Sequence, residues 1–323
     1  MLLDHTASGV YAIAVTPFKP DGAVDFDSVD KMTDFYLGCG VTGLTILGIM
    51  GEAPKLDPAE ALAISNQVVS RAKIPIIVGV SAPGFAAMRS LAHSVMQGGA
   101  AGVMIAPPPS LRTDDQIVNY YAQAVAAIGP DIPFVIQDYP LLLSVVMTPK
   151  VIQRIVNDNP SCVMLKHEDW AGLEKISSLR KLQSEGLLRP ISILTGNGGL
   201  FLDFEMERGA DGAKTGYAFP DMLVDVVKLS HAGQRDAAHD LFDAHLPLIR
   251  YEQQQSVCLA VRKYVLQKRG AIAHDCQRAP GTSLTASAKS EVDYLLSRLA
   301  HHDPRAKNTT SHIEAGFTEG VGF

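Results

Sequence analysis

Cys162-Val163-Met164-Leu165-Lys166-His167-Glu168-Asp169 is a short apolar run that ends in charge. Alternation along a strand turns residues two apart to one side, so Met164, Lys166 and Glu168 share one face and Leu165 and His167 the other. Apolar residues on both faces mark a strand covered on both sides, as in an all-parallel sheet. A lysine there either pairs with a carboxylate, points outward between helices, or is held as a free amine. Burial disfavours the ammonium form, and a free amine attacks a ketone to give a Schiff base.

Outward from this stretch the same pattern recurs. Short apolar runs bounded by Gly or Pro lie at 9–18, 43–48, 75–80, 101–108, 133–140, 162–168, 191–197 and 212–218. Stretches of helical periodicity begin near Asp27, Pro58, Ala86, Thr113, Thr148, Ala171, Gly199 and Pro220. Strand–helix alternation of this kind within residues 1–232 predicts an α/β fold, a (β/α)8 TIM barrel. A doubly wound sheet is the runner-up, but no GxGxxG follows the first strand, and Gly79-Val80-Ser81-Ala82-Pro83-Gly84 lacks a P-loop lysine. Residues 233–300 carry further helical stretches at 235–269 and 285–300, expected to form a C-terminal helical extension. The polar, aperiodic segment 301–323 is expected to be poorly ordered or ordered only by a partner subunit.

Composition limits the partners. With 323 residues, 47% of them hydrophobic, the chain can bury a large core, and a net charge of −6 leaves no electrostatic footprint for nucleic acid or an anionic membrane. Small molecules are the expected partners. Cys39, Cys162, Cys258 and Cys276 are too scattered for a zinc site or a disulfide framework, which fits a reducing cytoplasm. No signal-peptide pattern opens the sequence and no apolar run reaches the roughly 18 residues of a membrane span, so a cytoplasmic location is expected. Ten histidines form no HxH or HExxH arrangement and no GxSxG elbow is present, so no metal, no cofactor and no serine nucleophile are expected.

In such a barrel the chemistry sits at the carboxyl ends of the strands. Glu168, on the face of Lys166 and about 6–7 Å further toward the mouth, can serve a substrate atom beyond the imine carbon. Alternatively it only neutralises Lys166 or caps the next helix, for which Asp169 is the better candidate. On the fifth strand Gln137 and Tyr139 share a face, and the Tyr139 hydroxyl is a usable proton relay or simply an aromatic at the rim. Gly48-Ile49-Met50-Gly51-Glu52 offers backbone amides suited to a carboxylate. Thr195-Gly196-Asn197-Gly198-Gly199 has the same character, giving space and amides at the mouth or only a tight turn. Lys214 on the eighth strand, if inward, binds a carboxylate or competes for the imine role; the outward reading, snorkelling between helices, is preferred.

From about Gly9 to Arg298 these residues resemble the dihydrodipicolinate synthase/N-acetylneuraminate lyase family of Schiff-base lyases and aldolases. The resemblance rests on Thr16-Pro17-Phe18, on Gly48–Glu52 in the place of a GTTGE-like loop, on Lys166, on Gly196-Asn197-Gly198, and on Gly209-Ala210-Asp211-Gly212. It implies a barrel with C-terminal helices, a homotetramer or homodimer, and a lysine that holds pyruvate or another 2-keto acid as an imine. The resemblance makes Lys166 the imine-forming lysine; with Glu168 as the acid further up the same face and Tyr139 as a replacement phenol, these three are the expected catalytic residues, and Ile49, Met50, Gly51, Gln137, Gly196 and Asn197 are expected to bind substrate.

The departures are informative. Aligning the family's YNxP motif on Pro140 puts Gln137 where a tyrosine usually stands, and Ile49 and Met50 replace hydroxyl-bearing residues. Leu141-Leu142-Leu143 stands where synthases carry an arginine, and Pro107-Pro108-Pro109 where they carry a tyrosine pair. QDYP with an acid two residues past the lysine is more similar to the branch that dehydrates 2-keto-3-deoxy sugar acids such as L-2-keto-3-deoxyarabonate. The expected activity is therefore dehydration through a lysine imine and enamine. The alternatives are a pyruvate-dependent aldolase or synthase, or a barrel that binds a keto acid without turnover.

Overall fold

The computed structural model describes residues 1–170 and 172–309. Eight parallel strands pair in sequence order and close into a barrel: β1 (Gly9–Ile13), β2 (Gly43–Ile46), β3 (Ile76–Gly79), β4 (Gly102–Ile105), β5 (Phe134–Asp138), β6 (Cys162–His167), β7 (Ser192–Thr195) and β8 (Gly212–Ala213). The expected (β/α)8 barrel is thus observed, with strands shorter than the apolar runs that announced them. The remaining apolar residues of each run turn into the loops at the mouth.

The outer layer consists of α1 (Phe26–Gly38), α2 (Pro58–Arg71), α3 (Phe85–Gln97), α4 (Asp114–Ile128), the single turn α5 (Pro140–Leu143), α6 (Pro149–Asp158), α7 (Leu173–Ser184), α8 (Leu202–Glu207) and α9 (Pro220–His231). Local chemistry sets several starts. Asp57 with Glu60, and Thr113 with Gln116, form reciprocal capping boxes that satisfy amides otherwise left open at a helix N-terminus. Asp169 does not cap α7 as expected. Its carboxylate lies 2.8 Å from Lys175 Nζ instead, and the cap position is Gly172, with no side-chain hydrogen bond.

Alternation divides each strand between two apolar regions. Tyr11, Ile77, Met104, Val135, Met164 and Leu194 point inward and plug the barrel. Residues of the opposite parity, such as Val103, Ile136 and Leu165, join the helices in the main core. Each such side chain contributes about 1.5–3 kcal/mol when taken from water. The plug makes the barrel floor solid and leaves its upper end open.

Residues 235–269 are not one helix. α10 (Arg235–Glu252) stops before residues 253–257, and α11 (Cys258–Lys268) resumes beyond them; α12 (Ala286–Leu299) follows. The loose segment expected from 301 does not begin there. Pro304–Thr309 forms a short 3-10 helix with Ala306 and Thr309 buried, and Asp303 Oδ2 lies 2.9 Å from His245 Nε2 and 2.6 Å from Arg305 Nη1. These contacts supply what hydrophobic periodicity would not reveal. Residues 310–323 lie outside the described residues. Among the described residues no helix is long and apolar enough to cross a membrane.

Candidate active site

Pairing of β5 with β6 sets Gln137 against Lys166 and Asp138 against His167. Inward parity then gathers Gln137, Lys166 and Glu168 at the mouth, while Asp138 and His167 turn to the helical layer. There Lys175 Nζ lies 2.8 Å from Asp138 Oδ2, and both His167 ring nitrogens are buried without a hydrogen-bond partner among the described residues.

Glu168 reaches back along the strand. Its Oε2 stands 3.0 Å from Lys166 Nζ and accepts a 2.8 Å hydrogen bond from Gln137 Nε2. Both charged side chains are almost fully buried, so their attraction is weakly screened. Gly196 makes room for this: a Cβ there would lie 2.3 Å from Glu168 Cγ. The free site therefore holds an ion pair, and the separation read from strand rise alone is closed by side-chain flexibility.

Lys166, Glu168, Gln137, Tyr139, Ile49 and Met50 line one cavity of about 580 Å³, with Asn197 on its rim. That volume lies within the range of small-molecule sites. Gly51 and Gly196 stand behind the lining and support it. Gly51 O accepts a 2.6 Å hydrogen bond from Thr16 Oγ1, and Glu52, buried next to it, accepts from Lys263 Nζ at 2.5 Å and Lys55 Nζ at 2.7 Å. These contacts fix the 48–52 loop. No protein hydrogen bond from the Ile49, Met50 or Gly51 amides is present among the described residues, and of these three residues Ile49 and Met50 line the cavity.

Burial, then the charge of Glu168, pushes the Tyr139 phenol up to about 12. It keeps its proton at neutral pH and is a donor, not a base.

Lys214 points into the barrel, against the preferred reading. It is fully buried, donates to Thr45 Oγ1, and places its Nζ 5.6 Å from the Tyr11 ring centroid. Burial, then the charge of Lys166, holds its pKa well below the ordinary lysine range. The outward reading fails because the Thr45 hydroxyl and the Tyr11 ring inside the barrel meet the amine without a carboxylate partner. Lys214 does not line the cavity.

Sequence reasoning also missed the wall that the break between α10 and α11 lays over the mouth. Gln253, Gln255, Ser256, Cys258 and Arg262 all face the cavity. Arg262 Nε lies 2.5 Å from Glu252 Oε1, and its Nη1 lies 2.9 Å from Met50 Sδ. The available signal was an arginine and a lysine adjacent in an otherwise apolar helix, Val261-Arg262-Lys263-Tyr264.

A closed parallel barrel with a buried lysine–carboxylate pair at its carboxyl end has the equipment of a Schiff-base lyase. The chain belongs to the dihydrodipicolinate synthetase family, whose model matches residues 6–299. It is an enzyme of the lyase class. The crystal structure of dihydrodipicolinate synthase from Rhodopseudomonas palustris is 68% identical, with a TM-score of 0.91, over 92% of this chain and 99% of that one. L-2-keto-3-deoxyarabonate dehydratase from Azospirillum brasilense is 28% identical over 90% of this chain and 94% of its own length. A probable 2-dehydro-3-deoxy-D-pentonate aldolase from Escherichia coli is 24% identical over 90% and 96% respectively.

Proposed function

We propose that this lyase removes water from a 2-keto-3-deoxy sugar acid through an imine on Lys166. The observation that carries the reading is the single carboxylate oxygen, Glu168 Oε2, shared by Lys166 and Gln137. Transfer of the Lys166 proton to Glu168 frees the amine and leaves Glu168 a protonated acid. The amine adds to C2 of the keto acid, and the C2 oxygen departs as water as the imine forms. With its proton given to the departing C2 oxygen, the Glu168 carboxylate takes the C3 proton to give an enamine, whose electrons expel the C4 hydroxyl as Glu168 returns that proton to the leaving oxygen. Hydrolysis of the imine returns the lysine. Glu168 is assigned to the C4 oxygen, Tyr139 to proton donation nearby, and the Ile49 and Met50 amides to the substrate carboxylate.

The name of the Rhodopseudomonas palustris relative favours a second reading, condensation of pyruvate as a synthase. Against it stand Gln137 in place of the tyrosine, Ile49 and Met50 in place of hydroxyls, and Leu141–Leu143 in place of the arginine. Incubation with a panel of 2-keto-3-deoxy acids, followed by mass, separates the outcomes. Dehydration gives loss of water; retro-aldol cleavage gives pyruvate and excludes the first reading, as does no reaction with the panel alongside condensation of pyruvate with aspartate semialdehyde, which establishes the second.

A further inference from the structure

We propose that Arg262 receives a second carboxylate at the end of the substrate remote from the imine carbon, so that the site takes 2-keto acids with an anionic far end. This deepens the dehydratase reading and rests on it only for the direction in which the substrate lies.

The guanidinium of Arg262 is nearly buried and lines the same cavity as Lys166 and Glu168. Only Nε meets a protein oxygen, Glu252 Oε1 at 2.5 Å. Nη1 faces the thioether of Met50 at 2.9 Å, a weak acceptor. Among the described residues Nη2 has no hydrogen-bond partner. The terminal edge of the fork is therefore free to bind a carboxylate through two parallel hydrogen bonds, the geometry a guanidinium favours.

A second donor converges on the same place. Gln253 Nε2 is buried without a hydrogen-bond partner. Gly198, at φ +66, lets both groups close in on its backbone: a Cβ there would stand 1.6 Å from Gln253 Nε2 and 3.0 Å from Arg262 Nη2. Two sets of unspent N–H groups around a residue without a side chain form a receptor for oxygen, and the guanidinium charge selects an anion.

The charge is only partly cancelled from behind. Burial pushes the Glu252 carboxyl up to about 7 against the pull of Arg262, and its Oε2 has no partner. The other charges lining the cavity, Lys166 and Glu168, are paired with each other.

The test compares 2-oxoglutarate with 2-oxopentanoate, which have matched chain length and differ in the far carboxylate. Calorimetry reads affinity, and borohydride trapping reads imine formation. The wild-type enzyme is expected to bind 2-oxoglutarate about 10- to 100-fold more tightly, the scale of a charged hydrogen-bonded contact. Arg262→Met should bring the ratio close to one, and Arg262→Lys, with charge but no fork, should fall between. Arg262→Met leaves Glu252 without its partner; if it does not fold, the wild-type ratio and the lysine variant still decide. A wild-type ratio of one or less, a ratio that survives substitution, or an equal loss for both ligands overturns the proposal. Absence of any trapped adduct alongside a preserved calorimetric ratio would count against the imine reading and leave the anion site standing.

Discussion

Lys166 Nζ and Glu168 Oε2 lie 3.0 Å apart at the end of β6, so the free enzyme holds the proposed nucleophile in an ion pair with the group proposed to act on the leaving oxygen. If Glu168 is that acid, Glu168→Gln should still form the imine yet lose about 10²–10⁴-fold in dehydration, the usual worth of a positioned proton donor. Single-turnover kinetics with borohydride trapping separates the two steps. Dehydration at the wild-type rate once the imine is saturated would remove Glu168 from the mechanism.

Tyr139, with its phenol pushed up to about 12 by burial and then by Glu168, keeps its proton at neutral pH. Tyr139→Phe should therefore lower kcat by about 10²-fold without moving the alkaline limb of the pH profile below pH 10. Unchanged kcat would reduce Tyr139 to a rim aromatic.

Lys214 predicts a stability effect of defined sign. Its folded pKa lies well below the ordinary 10.5, so between those values the unfolded chain binds a proton that the folded chain does not. The native state is disfavoured in that window, and stability recovers as pH rises toward 10.5. Lys214→Met should raise Tm at pH 7, by about 2–4 °C for each 1 kcal/mol relieved, with a smaller gain at pH 10. A lower Tm at pH 7 would show that the Thr45 contact outweighs desolvation.

Glu205 runs the other way. Burial pushes its carboxyl up from 4.5 to about 7, opposed by His167 and a hydrogen bond from Thr195, and its Oε2 has no partner. The folded state binds the extra proton between those values, so stability is fullest below about pH 4.5 and is lost as pH rises through about 7. Glu205→Gln should stabilise the protein at pH 8, by at most about 3 kcal/mol, and have little effect at pH 5. Thermal melts at both pH values check this; equal shifts would contradict it.

The barrel was legible because its strands are apolar on both faces and its interruptions fall at Gly and Pro. Lys166, Glu168, Gln137 and Tyr139 were legible because strand parity fixes which residues share a face. Arg262 was not, because its place depends on a helix break at 253–257 that brings a distant segment over the mouth. Lys214 was misread because a buried amine without a carboxylate looks unfavourable until Thr45 and Tyr11 are known to meet it. The docking of 303–309 rests on His245 and Arg305, a polar anchor that leaves no periodic trace.

The central claim is that Lys166 carries the substrate. Borohydride reduction in the presence of pyruvate, followed by peptide mapping by mass, tests it directly. The account predicts a reduced pyruvyl adduct on the peptide containing Lys166 and its loss in Lys166→Ala; an adduct on Lys214, or none on an enzyme that still turns over its substrate, would contradict it.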